Sequence, residues 1–291
     1  MRDFDEFNIT QAVVDRFAET PDPRLRTVIT SLVRHLHDFV RDVDLSFDEW
    51  RYGIEFLTRT GHACHDKRQE FILLSDTLGV SMLVDAINHR MPEGTTETTV
   101  LGPFYVEEAP VSELGADISG GLEGTPLFVS GSVRSADGKP LPGATVDVWH
   151  ADKDGHYDVQ QLDTLGGLAG RAQFKTDGQG KFHFWSITPT PYPIPDDGPV
   201  GDMLKATARH PNRPTHVHFM IAAPGHETLI THIFADDSPW LDSDAVFGVK
   251  NSLIVPFAPM PAGEAPDGRR MERPYNRLAY DFGLKPTPSA H

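Results

Sequence analysis

The chain has 291 residues, with 26 basic against 42 acidic side chains and a formal net charge of −16. A surface this acidic repels nucleic acid and anionic membranes, which leaves a small molecule as the expected partner. No apolar run approaches the ~20 residues of a membrane span, and the amino terminus lacks a signal-like apolar core, so a soluble, cytoplasmic protein is expected. The single cysteine, Cys64, excludes an intrachain disulfide and reads as a buried free thiol.

Up to residue 95 or so the apolar spacing is helical, and it predicts helices over 9–17, 23–43, 47–63 and 69–90. Ser46 and Glu49 form a capping box ahead of the third. In the second, the row Leu25, Val28, Ile29, Leu32, Val33, Leu36, Phe39 and Val40 follows the helix period. That period turns His35 and His37 about 200° apart, so they cannot share a metal. Beyond it, glycine and proline recur and short β-branched runs predict strands over 127–133, 144–149, 172–176, 181–187, 216–222, 228–234 and 252–257. A polar excursion over 259–274 precedes a last short element over 278–282. The expected fold class is α+β, a helical region over 1–98 followed by an antiparallel β-sandwich over 99–291. Residues 131–148, with turns at Asp137-Gly138-Lys139-Pro140 and Pro142-Gly143, resemble the hairpin of transthyretin-like sandwiches. Taken alone, that segment favours a non-enzymatic binding module, because a fold does not fix a function.

Three short segments carry the chemistry. His216-Val217-His218 lies on an expected strand, where residues two apart share a face, so both imidazoles can reach one metal. Tyr157 follows a strand in the turn Asp152-Lys153-Asp154-Gly155-His156, and Tyr192 stands in Pro191-Tyr192-Pro193-Ile194-Pro195, where prolines hold the backbone extended. A phenol becomes a useful ligand only when a strongly acidic metal removes its proton, which favours ferric iron over zinc or calcium. Each segment alone has a plainer reading: a packed histidine pair, a half-buried aromatic, a rigid loop or a polyproline ligand.

The order Tyr157, Tyr192 within Pro191-Tyr192-Pro193-Ile194-Pro195, then Arg213-Pro214-Thr215-His216-Val217-His218 resembles the intradiol ring-cleaving dioxygenases. The resemblance extends through Leu101-Gly102-Pro103-Phe104-Tyr105, residues 131–150, Asp196-Asp197-Gly198-Pro199-Val200-Gly201 and Asp242-Ser243-Asp244-Ala245-Val246-Phe247-Gly248. It implies one Fe(III) per subunit on Tyr157, Tyr192, His216 and His218, with Tyr192 also acting as base and Arg213 stabilising a carbanionic substrate. It further implies a small aromatic diol or triol and O2 as substrates, a homodimer through the amino-terminal helices, and a phospholipid in an apolar channel between subunits. The pocket walls it implies are Leu73, Val100, Gly102, Pro193, Ile194, Pro195 and Val246.

Within that family, Leu73-Leu74-Ser75-Asp76-Thr77-Leu78-Gly79-Val80-Ser81 looks like the hydroxyquinol 1,2-dioxygenase branch. Asp76 would accept a hydrogen bond from the third hydroxyl of benzene-1,2,4-triol, giving 3-hydroxy-cis,cis-muconate, the enol form of maleylacetate. A helix-surface carboxylate or cap is the other reading of Asp76. Catechol or a substituted catechol is the alternative substrate. Ile230-Thr231-His232-Ile233 departs from the Thr-Thr-Gln of catechol-specific relatives and leaves the role of that position open.

Overall fold

The computed structural model describes residues 2–65 and 68–287, and by contacts the chain divides into two compact units after His62. The first holds α1 (Ile9–Asp15), α2 (Pro23–Asp42) and α3 (Phe47–His62). Asp22 caps α2, its side chain accepting the Arg24 and Leu25 amides at 2.7 and 3.3 Å ahead of Pro23. The capping box forms as expected: Ser46 N–H donates to Glu49 Oε2 at 2.9 Å and Glu49 N–H to Ser46 Oγ at 3.3 Å. His37 turns to Thr10 of α1 (3.0 Å). Leu25, Val28, Leu32, Leu36, Phe39 and Val40 remain exposed along α2.

The second unit opens with α4 (Glu70–Thr77) and α5 (Val80–Asn88), followed later by α6 (Leu162–Leu165) and α7 (Pro199–Ala206). The single helix expected over 69–90 is therefore two. Gly79 breaks it with φ +74, a left-handed conformation that suits glycine and stops α4. Cys64 is only half-buried.

The strands are β1 (Pro126–Ser135), β2 (Thr145–Trp149), β3 (Arg171–Lys175), β4 (Lys181–Ile187), β5 (Tyr192–Pro193), β6 (Asn212–Arg213), β7 (His216–Ala222), β8 (Leu229–Ala235), β9 (Ile254–Val255), β10 (Ala258–Met260), β11 (Gly263–Glu264), β12 (Arg270–Met271) and β13 (Tyr275–Leu284). A four-stranded sheet, β10-β13-β1-β4, and a five-stranded one, β3-β2-β7-β8-β9, supply the wholly buried Leu127, Phe184 and Leu278 and Val146, Phe219 and Ile233 to one core. The α+β class holds, but the sheets are mixed, since β1 pairs with β13 and β8 with β9 in parallel. The strand expected over 252–257 shrinks to β9 after a 3-10 turn at Asn251–Leu253, because Pro256 has no N–H to extend the ladder. The short element expected over 278–282 is instead the ten-residue β13. Its exposed Arg277 and Asp281 dilute the apolar signal.

Candidate metal centre

On β7, Val217, Phe219 and Ile221 are buried in the sandwich core, so alternation sends His216 and His218 to the opposite face. The antiparallel register sets His232 of β8 across from His218 and Trp149 of β2 on its other side, where the indole stacks on the imidazole at 4.6 Å. His216 Nδ1 lies 2.7 Å from the Pro214 carbonyl, which only accepts, so Nδ1 carries the proton and Nε2 presents its lone pair.

Tyr157 arrives from the turn after β2. Asp152 Oδ1 ties that turn by accepting the Asp154 and His156 amides at 2.8 and 2.9 Å, and Tyr157 N–H donates to Gln160 Oε1 at 2.8 Å. The Phe104 ring stacks on Tyr157 at 4.4 Å. Tyr192 arrives on β5, paired with Arg213 on β6. The two tyrosine segments touch at Gly155, where an added Cβ would lie 2.7 Å from that of Tyr192, so only glycine permits this approach.

These elements bring the sequence-predicted donors together. Tyr157 Oη lies 2.8 Å from His218 Nε2, 3.3 Å from Tyr192 Oη and 3.4 Å from His216 Nε2, and the two Nε2 atoms are 3.2 Å apart. Ligands at ~2.1 Å from one ion lie no more than ~4.2 Å from each other, and these separations satisfy that bound. Burial first, then the charge of Arg213, pushes the His216 pKa down to about 3, and burial with the neighbouring imidazoles puts His218 well below its ordinary range. Both rings are thus neutral, as metal ligation requires. Burial, then Tyr192, raises Tyr157 well above the usual phenol range. Only a strongly acidic cation displaces that proton, so two phenols with two neutral imidazoles fit a trivalent ion.

His232 is a third buried imidazole, and its ligand atom joins those of His216 and His218 in a group spanning up to 4.8 Å. That span exceeds ~4.2 Å, the reach of two nitrogens on one ion. Its Nδ1 is also taken by Thr99 Oγ1 at 2.6 Å, so His232 stands beside the donors rather than among them. Its Nε2 is buried without a hydrogen-bond partner.

Arg213 is 3% exposed; Nη1 lies 3.4 Å from His216 Nε2, and Nε and Nη2 face Asp244. A cavity of about 460 Å3 lined by Leu73, Asp76, Val100, Gly102, Phe104 and Pro195 leads inward. At its inner end several of these residues meet Tyr192, Ile194, Arg213 and Val246. Asp76 is 6% exposed, so it is not a helix-surface carboxylate. Burial raises its pKa, partly offset by a hydrogen bond from Ser81. Of the expected walls only Pro193 is missing: it is exposed and paired with Asn212, because alternation along β5 turns Tyr192 and Ile194 inward and the residue between them out.

Sequence reasoning missed the stacking of Phe104 and Trp149, the Thr99–His232 contact and Asp244. Two of them follow from strand register, which pairs His218 with both Trp149 and His232 and which no local pattern in the sequence displays.

Family models described as "Dioxygenase" and "Catechol dioxygenase N terminus" match residues 100–286 and 22–96. A 6-chlorohydroxyquinol 1,2-dioxygenase of Cupriavidus pinatubonensis is 53% identical over 99% of this chain and 100% of its own length. A hydroxyquinol 1,2-dioxygenase of Corynebacterium glutamicum is 50% identical over 97% of this chain and 94% of its own. Among solved structures, that of hydroxyquinol 1,2-dioxygenase from Pseudomonas putida superposes with a TM-score of 0.91 at 48% identity, covering 97% of this chain and 99% of that one.

Proposed function

Since this chain belongs to the intradiol ring-cleaving dioxygenase family, we propose that it cleaves hydroxyquinol with O2 between the vicinal hydroxyls to 3-hydroxy-cis,cis-muconate. The observation that carries the substrate is Asp76, a buried carboxylate in the same recess as Tyr192 and Arg213. A ring whose paired hydroxyls meet the tyrosine–histidine cluster turns its far side toward that carboxylate, and a third hydroxyl satisfies it.

Tyr157, Tyr192, His216 and His218 would hold the family's ferric ion, one per chain. When bound, Fe(III) supplies a Lewis acid for the paired hydroxyls and the coupling that lets a singlet aromatic react with triplet O2. Tyr157, His216 and His218 fix the site. Tyr192, on a short strand apart from the histidines, takes a substrate hydroxyl proton at Oη. Arg213, a fixed charge beside His216, stabilises negative charge that builds on the ring. Leu73, Val100, Gly102, Ile194, Pro195 and Val246 bound the ring and exclude water.

By role the reading divides the chain into a helical dimerisation region over 1–98 and a catalytic region over 99–291, although by contacts α4 belongs to the unit after His62, where it lends Leu73 and Asp76 to the cavity. The unpartnered apolar row of α2 supports a homodimer, with a phospholipid in the apolar contact. No described helix is long and apolar enough to cross a membrane.

The test is initial O2 uptake by the iron-loaded protein on hydroxyquinol and catechol in parallel, with enzyme-free blanks for autoxidation. Faster uptake on hydroxyquinol is expected, from a wine-red protein. A catechol preference moves the chain to the neighbouring branch, and a colourless protein without uptake on either substrate sinks the reading.

A further inference from the structure

We propose that Asp244 is a positioning residue for the reaction: its carboxylate selects which edge of the Arg213 guanidinium faces the tyrosine–histidine cluster. The inference rests on the reading of Arg213 as a group that faces the substrate. A guanidinium buried this deeply is costly unless a counter-charge and hydrogen bonds accompany it, and Asp244, itself 5% exposed, supplies both. Oδ1 accepts from Nε at 3.1 Å and Oδ2 from Nη2 at 3.3 Å, a side-on fork that engages one edge of the plane. The other nitrogen, Nη1, is left 3.4 Å from His216 Nε2 and toward the recess that Arg213 lines.

The carboxylate is itself held. It accepts the Gly248 amide at 2.9 Å and the Val246 amide at 3.4 Å, so its two oxygens take four donors and cannot turn without losing several. Val246 also walls the recess, so one carboxylate sets both the arginine and the wall beside it. Asp244 does not line that recess but a separate outer cavity, so it acts through Arg213 rather than on the substrate. Without the fork, the guanidinium loses the two bonds that fix its edge, and Nη1 is no longer held beside His216.

The experiment is a double-mutant cycle on the iron-loaded protein with hydroxyquinol, using Asp244→Asn, Asp244→Glu, Arg213→Gln and the double variant Asp244→Asn with Arg213→Gln. Thermal midpoints are measured on the iron-free forms. Asp244→Asn should lower kcat by about 10- to 100-fold, the scale of a misplaced catalytic group, with KM within about threefold. Asp244→Glu should restore part of that loss, and the double variant should match Arg213→Gln in kcat. In the iron-free protein the double variant should melt above Arg213→Gln, because it no longer buries an unpaired carboxylate. A wild-type kcat for Asp244→Asn, or a kcat loss undiminished when Arg213 is already gone, overturns the proposal. A wild-type kcat for Arg213→Gln instead defeats the reading of Arg213, and is seen in a separate arm. If Asp244→Asn does not fold, Asp244→Glu and its double variant with Arg213→Gln take its place, and Asp244→Glu must lower kcat only where Arg213 is present.

Discussion

Replacing Asp76 with alanine isolates the contact proposed to choose the substrate. Proline is the wrong probe here, because Asp76 lies inside α4 and proline there costs ~3 kcal/mol by removing an N–H and clashing with the preceding turn. Alanine keeps the helix and removes the acceptor. A hydrogen bond to a charged partner is worth ~1.5–3 kcal/mol, which at ~1.4 kcal/mol per tenfold predicts a fall in kcat/KM for hydroxyquinol of about 10- to 150-fold. Catechol has no third hydroxyl to lose, so its kcat/KM should hold or rise once the unpaired carboxylate is gone. Asp76→Asn keeps an acceptor without the charge and should fall between. The assay is kcat/KM from O2 uptake on both substrates, corrected for autoxidation and normalised to bound iron. An unchanged hydroxyquinol-to-catechol ratio in Asp76→Ala would refute the assignment, and equal losses on both substrates would mean that the carboxylate supports the cavity without reading the ring.

Burial holds His216 neutral down to about pH 3, against an ordinary value near 6.5, so the unfolded chain binds a proton that the folded iron-free protein does not. That difference is negligible well above pH 6.5 and grows as pH falls, reaching ~2 kcal/mol at pH 5 and ~4 kcal/mol near pH 3 from this ring alone. Denaturant midpoints of the iron-free protein should fall accordingly, and equal stability at pH 7.5 and 5 would contradict a buried neutral ring. Tyr157→Phe removes one of two phenol oxygens and should weaken iron retention and shift the visible band; an unaltered spectrum removes Tyr157 from the ligand set. Gly155→Ala forces a left-handed alanine against Tyr192 and should cost ~1–2 kcal/mol in backbone strain alone while disturbing the phenol. Wild-type colour and melting would show that the two loops do not need their close approach. Leu36→Glu with Phe39→Glu charges the exposed row of α2 and should convert a dimer to a monomer by light scattering; an unchanged mass places any interface elsewhere.

Features that repeat with a local period were legible in the sequence, and features set by cross-chain register were not. The histidine pair on β7 followed from alternation alone, and the capping box from a serine and a glutamate three positions apart. Gly79 was visible but was absorbed into a helical pattern, since the apolar period resumes in phase after the break. Pro193 was carried into the cavity with its neighbours because a motif copies whole, whereas a strand presents only every second side chain inward. Asp244 lies 31 residues from Arg213, and no local rule joins an acidic residue in a loop to an arginine on a distant two-residue strand.

The parallel pairing of β13 with β1 governs how the molecule comes into being. Ser132 and Asp281 in that pair are 149 positions apart, so the four-stranded sheet closes only when the last strand is available. Closing so long a loop delays the contact until other parts of the sandwich can share its entropy, and high contact order slows folding. On the ribosome, β7 and its histidines emerge well before β13, which completes the sheet facing theirs across the core. The five-stranded sheet that carries the histidines is therefore synthesised in full before the strand that closes the core behind it.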